Sequence, residues 1–172
     1  MHRWNRAFAL LSPVLLLTGA ALAQTNVAVI NFQQAILATQ EIQKAQKELE
    51  AEFGPRQQEL QKLQDEIQKI QDQLQKMQDK LTPQAQRDLQ FEAERKQREL
   101  QRKSEDLQAD VEYRRQEVLQ RVGQRMREVV QKLAEQKNLD VVIDVSNTVY
   151  FKPALDITKE ATEAYDKAYP VQ

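Results

Sequence analysis

The 172-residue chain predicts a mainly α-helical fold with a small β body, in which a long antiparallel coiled-coil hairpin projects from a short-stranded base. Three observations carry this expectation. Gln, Glu, Lys, Leu and Ala dominate roughly a hundred central residues, the composition of long or coiled-coil helices. Within that stretch a Thr-Pro pair interrupts the period once, and clusters of β-branched residues flank it on both sides.

The first element is a leader. Arg3 and Arg6 sit in a short positive segment, residues 7 to 22 are almost wholly apolar, and Ala21-Leu22-Ala23 precedes Gln24. This is the pattern of a secretory signal peptide over residues 1–23 with cleavage between Ala23 and Gln24, and the apolar run is short for a membrane span. Export from the cytoplasm is therefore expected. Removing Arg3 and Arg6 leaves 23 basic against 26 acidic residues, a net of −3, so the chain lacks the basic excess of a nucleic-acid binder.

Val27-Ala28-Val29-Ile30-Asn31-Phe32 has the length and branching of a strand. The outgoing helix follows. Leu60, Leu63, Ile67, Ile70, Leu74, Met77 and Leu81 alternate three- and four-residue steps, keeping one narrow apolar seam toward a partner helix. Upstream, Ile42, Ala45 and Leu49 obey the same rule, and Phe53 arrives one residue late beside Gly54-Pro55. A kink or register adjustment is expected there, because proline removes a helix hydrogen bond.

Thr82 can cap and Pro83 can open a second helix, which places the tip of the hairpin near residues 81–84. The returning seam is Leu89, Ala93, Lys96, Leu100, Lys103, Leu107, Val111, Val118, Val122, Met126, Val129 and Leu133. A short connection favours antiparallel neighbours. Roughly fifty residues per arm would reach on the order of 70 Å. Lys96 and Lys103 stand at core-type positions, where they either loosen the distal arm or set its register.

The C-terminal part returns to strand composition. Leu139 to Val145 and Thr148-Val149-Tyr150-Phe151 read as two strands around a Ser146-Asn147 turn, followed by a helix that Asp156 can cap. The organisation expected is an oligomerisation body from residues 24–40 and 130–172 and an arm from 41–129. So small a body is marginal alone and its sheet edges invite a second copy, so a homo-oligomer is expected.

Composition narrows the chemistry. The chain has no Cys, and its single His is His2 in the leader. Only Gly54 and Gly123 follow the leader, so no glycine-rich phosphate loop can form. No catalytic, cofactor or metal site is expected, and the reading is non-enzymatic.

The ordered set of leading strand, Gln/Lys/Glu hairpin, Leu139-Asp140-Val141-Val142-Ile143-Asp144, Val149-Tyr150-Phe151 and Asp156-Ile157-Thr158 resembles the Skp/OmpH family of periplasmic chaperones. The resemblance implies a homotrimer whose short strands share a β-barrel base, with helical tentacles around a cavity. It implies ATP-independent holding of unfolded outer-membrane proteins, no cofactor, no nucleic acid, and room for peripheral contact with a membrane surface. Residues 84–127 carry 11 basic and 9 acidic side chains, net +2, and residues 135–172 carry 4 and 7, net −3. Arms more basic than the body fit that family. The client-contacting candidates are Met77, Leu81, Leu89 and Phe91, with Arg95, Lys96, Arg98, Arg102 and Lys103 supplying positive charge. The alternative is a non-catalytic periplasmic coiled-coil tether or adaptor that docks one defined partner.

Overall fold

The computed structural model describes residues 25–77 and 80–171. The expected leader over residues 1–23 and its expected cleavage site at Ala23-Gln24 fall outside the described residues. Six regular elements follow in order: β1 (Val27–Ile30), α1 (Phe32–Leu37), α2 (Gln40–Lys76), α3 (Pro83–Gln136), β2 (Val141–Asp144) and α4 (Thr158–Ala168).

The helices start where the side chains allow it. Asn31 Oδ1 accepts the Gln34 N–H at 2.9 Å to open α1, and Thr39 Oγ1 accepts the Ile42 N–H at 3.3 Å to open α2. At the distal end Thr82 Oγ1 accepts the Ala85 N–H at 3.2 Å, with Pro83 in the first turn of α3. The turn before it is closed by the Lys80 and Leu81 N–H groups donating to the Met77 carbonyl. At its far end α3 stops at Asn138, which takes a left-handed φ of 51° while the Leu139 N–H reaches back to the Ala134 carbonyl.

α2 and α3 lie side by side as the expected hairpin. Ile42, Ala45, Phe53, Leu63, Ile67 and Ile70 bury the α2 seam, and Ala93 and Leu107 face them from α3. α2 passes through Gly54 and Pro55 as one continuous helix. Beside the proline, the Arg56 guanidinium sits over the Phe53 ring, 5.7 Å from its centroid, and pairs with Asp110 of α3 at 2.6 Å. This couples the two arms where the α2 ladder lacks a donor.

The body closes the hairpin at its root. β1 and β2 pair in parallel, Val27 with Val141 through Ile30 with Asp144, so the whole hairpin is the crossover between two adjacent strands. The core beneath them gathers Ala28, Ile30, Ala35, Ile42, Val122, Met126, Val129, Ile157, Ala161 and Tyr165. Val122, Met126 and Tyr165 are completely enclosed.

The expected third strand over residues 148–151 does not form, and neither does its hairpin. Asp144 accepts both the N–H and the hydroxyl of Ser146, at 2.8 and 2.6 Å, and Thr148 N–H returns to the Val145 carbonyl. This local turn chemistry curls Val145–Asn147 into a 3₁₀ turn and lifts the chain off the sheet. The free edge of β1 is taken instead by the Asp156 region, where Ile157 N–H donates to the Val29 carbonyl at 2.9 Å. Val149 and Tyr150 stay exposed, and the outer edge of β2 carries exposed Val141 and Ile143.

Truncating Met126 would leave a hole among Val122, Ile157 and Tyr165. Met126→Ala should cost about 2–5 kcal/mol, read as a lower urea midpoint at unchanged slope; a loss below about 0.5 kcal/mol would place this core elsewhere.

Candidate functional site

The arms are the part of the molecule with unusual geometry. α2 spans 37 residues and α3 54, about 55 and 80 Å at 1.5 Å per residue. Their surfaces sort the five basic candidates into two sets, the lysines already marked by their core-type positions and the arginines.

Lys96 and Lys103 point across the seam. Lys96 Nζ meets Glu66 at 2.8 Å, and Lys103 Nζ pairs with Glu59 across the hairpin and with Glu99 at 3.4 Å on its own helix. Glu59 and Glu66 are one heptad apart, as are Lys96 and Lys103, so a single antiparallel register satisfies both pairs. The hydrogen bonds from the lysines, with their charge, hold the Glu59 and Glu66 carboxyls below their ordinary value. The lysines are raised in turn by their bonds to Glu59 and Glu66. Nearer the root the ladder continues with Arg56–Asp110 and Arg114–Glu52 at 3.9 Å.

Arg95, Arg98 and Arg102 lie on the other side of α3. Phe91, Arg95, Arg98 and Arg102 follow one another at four-, three- and four-residue steps, the spacing of one helix face. All four are exposed, Phe91 by 65%. Arg98 has only a 3.7 Å approach to Glu94 on its own helix, and no ion pair engages Arg95 or Arg102 among the described residues. Exposed Tyr113 continues the same face toward the root. Of the apolar candidates, Leu81 and Leu89 are half-buried and Met77 is exposed at the tip. The structure thus brings Phe91 and the three arginines together and sends the two lysines into the hairpin.

The sequence reading missed the carboxylate partners Glu59 and Glu66. Their signal was the shared heptad step with Lys96 and Lys103, legible only once the register is known. It also missed a polar node at the arm root, where Glu41 meets Arg121, Arg125 and Tyr165.

An apolar cleft of about 360 Å³ opens near the root between Leu37, Ile42, Leu49, Val118 and Leu119, with Glu50 and Arg115 on its rim. No cluster of three or more His, Cys, Asp or Glu side chains suited to a metal occurs among the described residues. No helix among them is long and apolar enough to cross a membrane.

The OmpH-like outer membrane protein family matches residues 26–165, nearly the whole described chain. The chain belongs to that family. No curated protein sequence matches it. Among solved structures, a Caulobacter crescentus protein described as a candidate OmpH-like outer membrane chaperone superposes with a TM-score of 0.71 at 20% identity, covering 87% of this chain and 89% of its own. At that identity the likeness is one of fold, and it supports the arrangement of long hairpin and small body in this OmpH-like chain.

The cross-arm pairs give a sharp prediction. Lys96→Glu should set two carboxylates against each other and lower the thermal midpoint of the helical signal, and adding Glu66→Lys should restore most of the loss. Because the Glu59 and Glu66 pKa values are lowered on folding, their contribution is present above 4.5 and fades as pH falls through and below it. The lysines, raised on folding, lose theirs only as pH climbs past 10.5. A double swap no better than the single change would show that these pairs do not set the register.

Proposed function

We propose that this chain is an ATP-independent, non-catalytic holdase of the periplasm, which keeps unfolded outer-membrane proteins from aggregating in a cavity between helical arms. The observation that carries the reading is the split of the basic side chains. One set is consumed in holding the arm together. The other, Arg95, Arg98 and Arg102 with Phe91, forms an exposed stripe of adaptable cationic and aromatic groups. Such a surface makes many weak, reversible contacts and needs no defined pocket.

Family membership and the fold likeness support this reading. So does the leader over residues 1–23, which would deliver the chain through the inner membrane. The cavity requires more than one copy. The open outer edge of β2, with Val141 and Ile143 exposed beside Val149 and Tyr150, is the surface we assign to that assembly, as a trimer with a joined sheet at its base. The body is then residues 24–40 and 130–172, and the arm 41–129.

The rival role, a tether docking one native partner, gains from the ion pairs that stiffen the arm as far out as Lys96–Glu66. The two roles differ in what they bind. A holdase takes many unfolded chains, whereas a tether takes one folded partner.

The test dilutes an unfolded β-barrel membrane protein out of urea without ATP. Light scattering should be suppressed at stoichiometric oligomer, and unchanged aggregation would defeat the proposal. Replacing Arg95, Arg98 and Arg102 together by Glu should raise the concentration needed for suppression, and raised salt should weaken the wild type in the same direction. Light scattering coupled to size exclusion should give a trimer mass; a monomer would remove the cavity.

A further inference from the structure

At the root of the arms three helices meet on one carboxylate. Glu41, in the first turn of α2, accepts the Arg121 Nε–H at 2.9 Å on Oε1. Its Oε2 accepts Arg125 at 3.1 Å and the Tyr165 hydroxyl at 2.6 Å. Arg121 and Arg125 belong to α3 and Tyr165 to α4. The Arg125 guanidinium also lies over the Tyr169 ring, 4.8 Å from its centroid, and the Tyr169 hydroxyl donates to Glu128 of α3 at 3.3 Å. From α4, Asp166 accepts the Gln40 N–H at the start of α2, 3.0 Å away. The C-terminal helix therefore grips both arms through polar groups.

Small residues line part of the packing beside this node. Ala35, Ala161 and Gly123 are buried where α1, α4 and α3 approach each other, and a side-chain carbon on Gly123 would sit 3.6 Å from Ile36. At these small positions the backbones come close, and the interlocking side chains of the junction are those of Val122, Met126 and Tyr165. A charged carboxylate with three donors is directional and resists displacement. Tyr165 adds to this because its ring is enclosed and its hydroxyl must keep a partner.

We propose that Glu41 is a clasp through which the C-terminal helix fixes the angle at which the arm leaves the body. Neutralising it frees the arm to a wider range of angles while the hairpin seam and the body core stay folded. The inference concerns the chain's own geometry and stands whether or not the arms hold clients.

The chain has no cysteine, so paired spin labels can be placed cleanly. One pair joins the arm to the body at Gln90 and Lys159, and a second spans the arm at Gln71 and Gln90. Both are measured in full-length protein diluted with unlabelled chain. In Glu41→Gln the arm-to-body distribution should broaden and the cross-arm one should stay as in wild type. Tyr165→Phe, which removes one donor and keeps the ring, should broaden it less, and it serves if Glu41→Gln loses helicity.

Acid is the second arm of the test. Burial alone would raise the Glu41 pKa, but the hydrogen bonds from Tyr165 and Arg121 and the charges of Arg125 and Arg121 outweigh it and hold it below its ordinary value. The clasp is thus engaged above 4.5 and released as pH falls through and below it. Lys44 and Glu48 of α2, Arg121 and Arg125 of α3, Tyr165 of α4 and Tyr169 just past its end surround it, with Glu128 bonded to Tyr169 and Asp166 to Gln40 beside them, and α1 carries no titratable residue. Wild type should broaden in acid, and Glu41→Gln should show no further change. At neutral pH, unchanged arm-to-body distances in both variants or equal broadening of the cross-arm pair would overturn the clasp, as would an acid response of the arm-to-body pair that persists in Glu41→Gln.

Discussion

The parallel pairing of Val27–Ile30 with Val141–Asp144 is the constraint on which the rest depends. It brings together strands 114 positions apart, as the bond from Asn26 N–H to Asp140 at 2.7 Å records beside it. Closing so long a loop would be entropically costly in an open chain. Here the excursion is folded on itself as a hairpin, so its two ends already lie together when the strands meet. The sheet then needs only to bury Ala28 and Ile30 against the α3 root, where Val122, Met126 and Val129 wait.

Along the arms, hydrophobic and electrostatic forces divide the work. Leu63, Ile67 and Ile70 with Ala93 and Leu107 exclude water from a narrow seam, which alone would tolerate slippage by a heptad. The four cross-arm pairs, Lys96–Glu66, Lys103–Glu59, Arg56–Asp110 and Arg114–Glu52, oppose that slip together, because a heptad shift one way leaves Lys96 opposite Gln73 and the other way leaves Asp110 opposite Leu49 and Arg114 opposite Ala45. These pairs are exposed enough that their value is in register more than in raw stability. The arm can therefore be both extended and singly registered without a thick core. The opposite face of α3 is left free of structural duty, which is why an arginine and aromatic stripe can persist there.

Much of this was legible in the chain. The alternating three- and four-residue steps gave the seam from Leu60 to Leu74, and Thr82-Pro83 gave the start of the returning helix, because both are local rules of spacing and capping. The seam ends sooner than expected because α2 stops at Lys76 and leaves Met77 exposed. Thr148 to Phe151 has strand composition but no strand. Branching and aromaticity describe a tendency to fit a pleated surface, and the Asp144–Ser146 turn removes the chain from that surface first. Lys96 and Lys103 were visible as polar intruders, but their partners lay on the other helix and so beyond any local rule.

By itself, then, the sequence determined the hairpin, its turn, the leading strand and the absence of any cysteine and of any histidine beyond His2. These follow from periodicity and composition, which act within one or two turns of chain. Only the tertiary structure decided that the strands run parallel, that two lysines pair across the seam while three arginines stay exposed on the opposite face, and that Glu41 gathers Arg121, Arg125 and Tyr165 from far along the chain. Those outcomes depend on the register and packing of distant segments. No spacing rule within one helix encodes which carboxylate will face which cation across to the next.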